Sequence, residues 1–170
     1  VLSILDQDFK DFEIVICDNS SDELTQDVLF DISDSRINNI RTGNLKMADN
    51  WNRGFDYIKG KYVLLFSDKG VLKKGSLRYL YDLLESTDYK CVTWCLDTFV
   101  DPDRFIFSNS SEESKELSSE YLLKTILGAD WQEFDVSPMH CTSCVSKEII
   151  DDIKVRHTSV CQELNPDYTM

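Results

Sequence analysis

A layered α/β domain, with a mixed and mostly parallel sheet flanked by helices, is the fold this sequence predicts, and three observations carry the prediction. Two apolar runs, Phe12 to Cys17 and Tyr62-Val63-Leu64-Leu65-Phe66, lack the strict alternation of a half-exposed strand and so read as strands covered on both faces. Each stops at a polar cluster, Asp18-Asn19-Ser20 and Ser67-Asp68-Lys69-Gly70. Segments of helical spacing lie between the strand candidates, an order that builds parallel pairing. Ligands of open α/β sheets collect beyond the carboxyl ends of strands, so both polar clusters are places to look for chemistry.

Taken in order, Val1 to Phe9 is apolar at helix-like intervals and reads as the tail of a helix. Phe12 to Cys17 is the next strand, and Ser21 or Asp22 caps a helix running to about residue 33. Ile37 to Arg41 is a short strand and Thr42-Gly43-Asn44 a turn. Met47 to Ile58 reads as an amphipathic helix with Met47, Trp51, Gly54, Phe55 and Ile58 on one stripe and Gly60 as its terminating glycine. After the central strand, a helix over Gly75 to Glu85 turns Leu77, Leu80, Tyr81 and Leu84 inward.

The pattern then loosens. Lys90 to Phe99 reads as one strand with Cys91, Thr93 and Cys95 on one face and Val92, Trp94 and Leu96 on the other. Arg104 to Phe107 returns as a short strand after the turn Asp101-Pro102-Asp103, and residues 108–116 form a polar surface loop. Ser118-Ser119-Glu120 caps a helix over Tyr121 to Leu127. Cys141 to Val145 is a strand, and Ser146 caps a helix over Lys147 to Lys154.

Length and composition bound the function. A chain of 170 residues is one domain with room for a core, and 42% hydrophobic with 29% charged residues is ordinary for a globular protein. The net charge of −13 disfavours a nucleic-acid partner and a polybasic membrane anchor. No apolar run approaches the roughly 20 residues of a transmembrane span. The six cysteines, Cys17, Cys91, Cys95, Cys141, Cys144 and Cys161, fit no disulfide scaffold and read as reduced thiols of a cytoplasmic protein. Cys141-x-x-Cys144 beside His140 supplies one half of a zinc site, but the only other pair, Cys91 and Cys95, is too loosely spaced, and small buried hydrophobes are the simpler reading.

The ordered series Phe9-x-x-Phe12-Glu13-Ile14-Val15-Ile16-Cys17-Asp18-Asn19-Ser20, then Asn44 with Trp51-Asn52-Arg53-Gly54, then Gly60 through Lys69, resembles the nucleotide-sugar half of the family 2 glycosyltransferases. The resemblance implies a Rossmann-like GT-A fold, with residues 1–86 as the nucleotide-sugar-binding half and residues 87–170 as the acceptor side of the same domain. It further implies that the first strand precedes Val1, that the acceptor end breaks off at Met170, and that this piece alone is inactive.

The implied activity is transfer of a sugar, with inversion, from a nucleotide-sugar donor of UDP type to a saccharide or lipid-linked acceptor in surface polysaccharide synthesis. Such an enzyme works in the cytoplasm or at the inner face of the membrane. By resemblance Asp18 reads the nucleotide base, with Asn19, Ser20 and Asn52 beside it. Ser67, Asp68 and Lys69 meet the ribose and diphosphate, and Asp167 in Asn165-Pro166-Asp167-Tyr168 is the general base. Asp18 and Asp68 are then expected to line one hollow.

Lys69 stands where the family places a metal-binding carboxylate. A divalent cation, Mg or Mn, is expected either on Asp68 with water and phosphate oxygens, or replaced wholly or partly by Lys69, since an ammonium cannot ligate a metal but can neutralise a departing diphosphate. Trp94, Trp131, Tyr121 and Tyr168 are candidates to stack on an acceptor sugar, with His140 and His157 as further bases. Two other classes fit parts of the pattern: a non-catalytic nucleotide-sugar-binding module, suggested by Ser67 and Lys69 around Asp68, and a receiver-like signalling domain with Asp18 and Asp68 as its acidic pocket.

Overall fold

The structure is a computed structural model, and it describes residues 1–100, 104–106, 115–121 and 142–161. In chain order its elements are α1 (Leu2–Leu5), β1 (Ile14–Asp18), α2 (Leu24–Ile32), β2 (Ile37–Arg41), α3 (Met47–Gly54), β3 (Tyr62–Leu64), α4 (Ser76–Ser86), β4 (Cys91–Thr93), β5 (Thr98–Val100), β6 (Arg104–Ile106), β7 (Ser143–Ser146) and α5 (Lys147–Arg156). Contacts divide the chain into two units. The first is Asp6–Val63 with Val145–Met170, the second Val1–Leu5 with Leu64–Cys144.

In the first unit β1 and β2 pair in parallel, from Ile14 opposite Ile37 to Asp18 opposite Arg41. The connection through α2 has the form expected of a parallel crossover. The strand begins two residues later than Phe12 because Phe12 is used otherwise: the Arg36 guanidinium stacks over its ring at 4.5 Å. Ile14 to Cys17 are half-buried rather than covered on both faces, since among the described residues β1 pairs on one side only. The N-cap of α2 is Glu23, without a side-chain cap bond, rather than Ser21 or Asp22; Asp22 Oδ1 accepts the Leu24 N–H at 3.2 Å just ahead of the helix. Yet α2 buries none of its residues, and Leu24, Val28 and Phe30 are exposed.

The next helix, α3, is shorter than its periodicity suggests, ending at Gly54 instead of Ile58. Gly60 is not its left-handed cap; among the described residues the glycines with positive φ are Gly43 and Gly75. The Glu13 carboxylate accepts the N–H groups of both Lys59 and Gly60 instead, and satisfies that stretch of backbone without a glycine turn. Helix α3 packs against β1 through Gly54, where an added Cβ would come within 2.8 Å of Cys17 Sγ. Gly54→Ala is therefore expected to cost about 1–3 kcal/mol by overpacking. Combining it with Cys17→Ala should restore most of that loss, and thermal melts of the double-mutant cycle measure the coupling.

The central strand is also cut short. Only Tyr62–Leu64 is strand, all three residues half-buried, where five fully covered residues were expected. Phe66 leaves the strand path and lays its ring against the following turn, so close that a Cβ on Gly70 would lie 2.5 Å from Phe66 Cζ. That turn closes with Gly70 N–H on the Ser67 carbonyl at 3.1 Å.

The second unit holds α4, which matches its predicted span to within one residue. Leu80 and Leu84 are buried and Leu77 and Tyr81 half-buried on its inner face. Gly75 starts the helix at φ 83, a left-handed conformation that favours glycine. The expected continuous strand over Lys90 to Phe99 is two strands, β4 and β5, with residues 94–97 between them. Lys73 reaches Asp97 in that break at 2.7 Å, and Trp94 N–H donates to the Thr142 carbonyl at 2.9 Å. The pair β5 and β6 is antiparallel, Thr98 opposite Ile106, so the described sheets mix both senses.

Strand β7 is buried throughout, from Ser143 to Ser146, and leads without a loop into α5, whose Ile150 is fully buried. Buried apolar side chains among the described residues are Phe55, Val145 and Ile150 in the first unit and Leu80, Leu84 and Cys144 in the second. The described part of the predicted helix over Tyr121 to Leu127 is helical up to Tyr121, and the remainder lies outside the described residues. No described helix is long and apolar enough to cross a membrane.

Candidate active site

Asp18 ends β1 and is 5% exposed. Its Oδ1 accepts the Ser20 hydroxyl at 2.6 Å and the Ser20 N–H at 3.0 Å, a local loop that fixes the carboxylate. Its Oδ2 is buried and has no hydrogen-bond partner among the described residues. The Ser20 hydroxyl pulls the pKa of Asp18 below the ordinary carboxylate value; burial opposes it, and the Ser20 N–H, Arg41 and Thr25 add to the depression. The result is an ionised carboxylate with one buried oxygen that no described protein group answers, where buried polar groups ordinarily have a partner, be it protein, water or ligand.

The backbone around Asp18 is held by side chains that no motif singled out. Asn50, buried on α3, donates its Nδ2 to the Cys17 carbonyl at 3.0 Å and accepts the Thr42 hydroxyl at 2.5 Å. Thr42 N–H donates to the Asp18 carbonyl at 2.9 Å. Helix α3 is thereby tied to the ends of both β1 and β2. The signal available in the sequence was an Asn one helical turn before Gly54, on the stripe that also faces β1.

The other predicted residues of this unit have narrower geometry. Asn19 is exposed and donates its Nδ2 to the Leu45 carbonyl at 3.2 Å, and Ser20 is half-buried beside Asp18. Asn52 clamps the chain after α5: its Oδ1 accepts the N–H groups of Val160 at 3.0 Å and Cys161 at 2.8 Å, and its Nδ2 donates to the Cys161 carbonyl at 2.7 Å. It also lines a cavity of about 180 Å³ with Arg53, Asp56 and Lys154, in which Asp56 pairs with Lys154 at 2.7 Å and Arg53 at 3.6 Å.

Ser67, Asp68 and Lys69 belong to the second unit. The Ser67 hydroxyl donates to Asp68 Oδ1 at 3.0 Å and its oxygen takes the Lys69 N–H at 3.2 Å, while both charged side chains are exposed. Asp167, Trp131, Tyr168 and His140 lie outside the described residues. Trp94 is half-buried, and Tyr121 and His157 are exposed.

No group of three or more His, Cys, Asp or Glu side chains among the described residues could hold a metal ion. Asp68 stands as a single carboxylate, already shared with Ser67 and next to an ammonium, so among the described residues a divalent cation there would have one protein carboxylate and would depend on water and phosphate oxygens for the rest. Cys17, Cys91, Cys95, Cys144 and Cys161 are free thiols, and Cys141 is outside the described residues. Burial, with Cys91 nearby, pushes the Cys144 thiol up to about 12, and burial raises Cys17, Cys91 and Cys161 as well. These are protonated, poorly nucleophilic sulfurs.

Compared with protein families, residues 1–153 match glycosyl transferase family 2. The chain belongs to that family. A curated member of similar sequence is the GalNAc(5)-diNAcBac-PP-undecaprenol beta-1,3-glucosyltransferase of Campylobacter jejuni, 34% identical over 84 residues. The match takes in 47% of this chain and 27% of that relative, so the chain spans about a quarter of the relative's length. Membership of glycosyl transferase family 2 accounts for the α/β architecture.

Proposed function

We propose that this chain forms the donor-binding part of a glycosyltransferase that moves a sugar from a nucleotide sugar to a saccharide or lipid-linked acceptor in surface polysaccharide synthesis. The observation that carries the reading is the buried, ionised and unpartnered Oδ2 of Asp18 at the carboxyl end of β1. A uracil ring N–H is a donor of the right kind for that oxygen, and the family membership supports a GT-A arrangement around it. The lipid-linked substrate in the name of the Campylobacter jejuni relative supports an acceptor of the same class.

In this reading the acceptor hydroxyl attacks the anomeric carbon in line with the departing diphosphate. The bond from that carbon to the acceptor oxygen forms as the bond to the phosphate oxygen breaks, and the configuration inverts. The hydroxyl proton passes to a carboxylate, for which Asp167 is the proposed base, and the electron pair leaves with the nucleoside diphosphate. Asp68 and Lys69 meet the ribose and diphosphate of the donor.

The test is a binding screen of the complete protein against UDP-, GDP- and dTDP-sugars, followed by product analysis with lipid-linked acceptors. Binding of a uridine donor with release of UDP on transfer is the expected result. Binding without either hydrolysis or transfer would make this a non-catalytic module, and no binding of any nucleotide sugar would remove the reading.

A further inference from the structure

We infer that the loop over residues 67–75 receives the diphosphate by itself, with the Lys69 ammonium taking the place of a divalent cation. This rests on the nucleotide-sugar reading above. The chain carries 31 acidic against 18 basic residues, and the loop Ser-Asp-Lys-Gly-Val-Leu-Lys-Lys-Gly holds three lysines against one aspartate. In a molecule of net charge −13, that is a local reversal of sign placed just past the end of β3.

The lysines of the loop are not equivalent. Lys73 is taken by Asp97 at 2.7 Å. Elsewhere, Lys147 is held by Asp151 and Lys154 by Asp56. Lys69 and Lys74 are exposed and make no ion pair with any described residue. Their charge is therefore free for an incoming anion, and a free ammonium gains most from a phosphate oxygen that brings its own negative charge.

The one carboxylate of the loop is turned to a different use. Asp68 Oδ1 takes the Ser67 hydroxyl, and the same Ser67 oxygen takes the Lys69 N–H, so Ser67 fixes the start of the turn that carries Lys69. Gly70, beneath the Phe66 ring, admits no larger residue without moving that ring. The backbone that presents Lys69 is thus set by packing, while its side chain projects into solvent. A cation held there would face the ammonium with one carboxylate for support, and the repulsion between like charges at such range is unfavourable even when solvent screens it. A fixed ammonium supplies the same electrostatic stabilisation of the leaving diphosphate without ligand exchange.

The experiment uses the complete protein and titration calorimetry, with whichever of UDP, GDP, ADP and dTDP binds most tightly, in EDTA and again in Mn²⁺. Wild type is expected to bind equally in the two media, within about twofold. Lys69→Ala should lose at least about tenfold in EDTA, the scale of one charge-assisted contact. Lys69→Asp should lose more in EDTA and regain at least tenfold when Mn²⁺ is added, because it rebuilds a carboxylate pair with Asp68. Wild-type binding that appears only with Mn²⁺ overturns the inference and leaves the nucleotide-sugar reading intact. Metal-free binding that Lys69→Ala does not weaken overturns the role of Lys69. Failure of all four nucleotides in both media removes the inference and the functional reading together.

Discussion

Asp18→Asn is expected to weaken nucleoside diphosphate binding by about a hundredfold while leaving the fold standing. The substitution keeps Oδ1, which accepts both hydrogen bonds from Ser20, so the loop at the end of β1 retains its local geometry. It changes only the other end of the group. Where Oδ2 now presents a buried acceptor with no protein partner, Asn presents an N–H₂. A ring N–H that approached the carboxylate would meet a donor instead of an acceptor. Hydrogen bonds to charged groups are worth roughly 1.5–3 kcal/mol, or about 10- to 150-fold in affinity, and the mismatch of two donors adds to the loss. Calorimetry with UDP measures the effect. Affinity within threefold of wild type would show that Oδ2 is not the base-reading atom.

The same variant should alter the acid limb of stability in a defined direction. A carboxylate whose folded pKa is depressed stabilises the fold above its unfolded value, and the contribution is lost as pH falls through the folded value. Asp18 is depressed chiefly by the Ser20 hydroxyl, so its contribution is complete above about pH 4 and fades below it. Asp34, held down to about 2 by its bonds from Arg36, fades over the same falling range and persists in the variant. Asp18→Asn should therefore flatten the acid limb only in part, with no change near neutral pH beyond the constant cost of the substitution.

How much of this was legible in the sequence depends on what each residue answers to. Strand β2 and helix α4 were read almost to the residue, because the apolar spacing that predicts them is also what packs them: Leu80 and Leu84 fall on the buried face that their period assigns. Asp18 was legible for a related reason, as a polar stop on an apolar run. The errors came where a distant partner overrode a local signal. Gly60 looked like a helix terminator, but Glu13, 47 positions earlier, takes its N–H. Phe66 looked like strand, but its ring found Gly70. Asn52 stands inside a family-like motif, and its bonds to Val160 and Cys161, the latter 109 positions away, are a structural role that no window of sequence contains.

Asn50 is the clearest case of a residue that no motif singled out and that is central to structure, and its removal should have the largest effect on stability. Its side chain is buried on α3 and joins two carbonyl and hydroxyl groups that lie at the ends of different strands: Cys17 on β1 and Thr42 just after β2. Asn50→Ala takes the side-chain donor from the Cys17 carbonyl and one acceptor from the Thr42 hydroxyl, which keeps the Asp18 carbonyl, and it empties a buried position on α3. An orphaned buried group costs about 1–3 kcal/mol, so a loss of roughly 3 kcal/mol is expected, near the upper range for single substitutions. For a chain of this size each kcal/mol moves the melting temperature by roughly 2–4 °C, which places the expected drop at about 6–12 °C. The damage should also reach the ligand. Thr42, released from Asn50, holds the Asp18 carbonyl, so the carboxylate that reads the base loses its fixed position, and UDP affinity should fall several-fold at temperatures where the variant is still folded. Asn50→Asp separates the two roles. It keeps the acceptor for Thr42 but turns a carboxylate oxygen toward the Cys17 carbonyl, and repulsion between the two should make it at least as unstable as the alanine variant. If both variants melt within about 2 °C of wild type, the α3 tether is not what holds the Asp18 strand end in place.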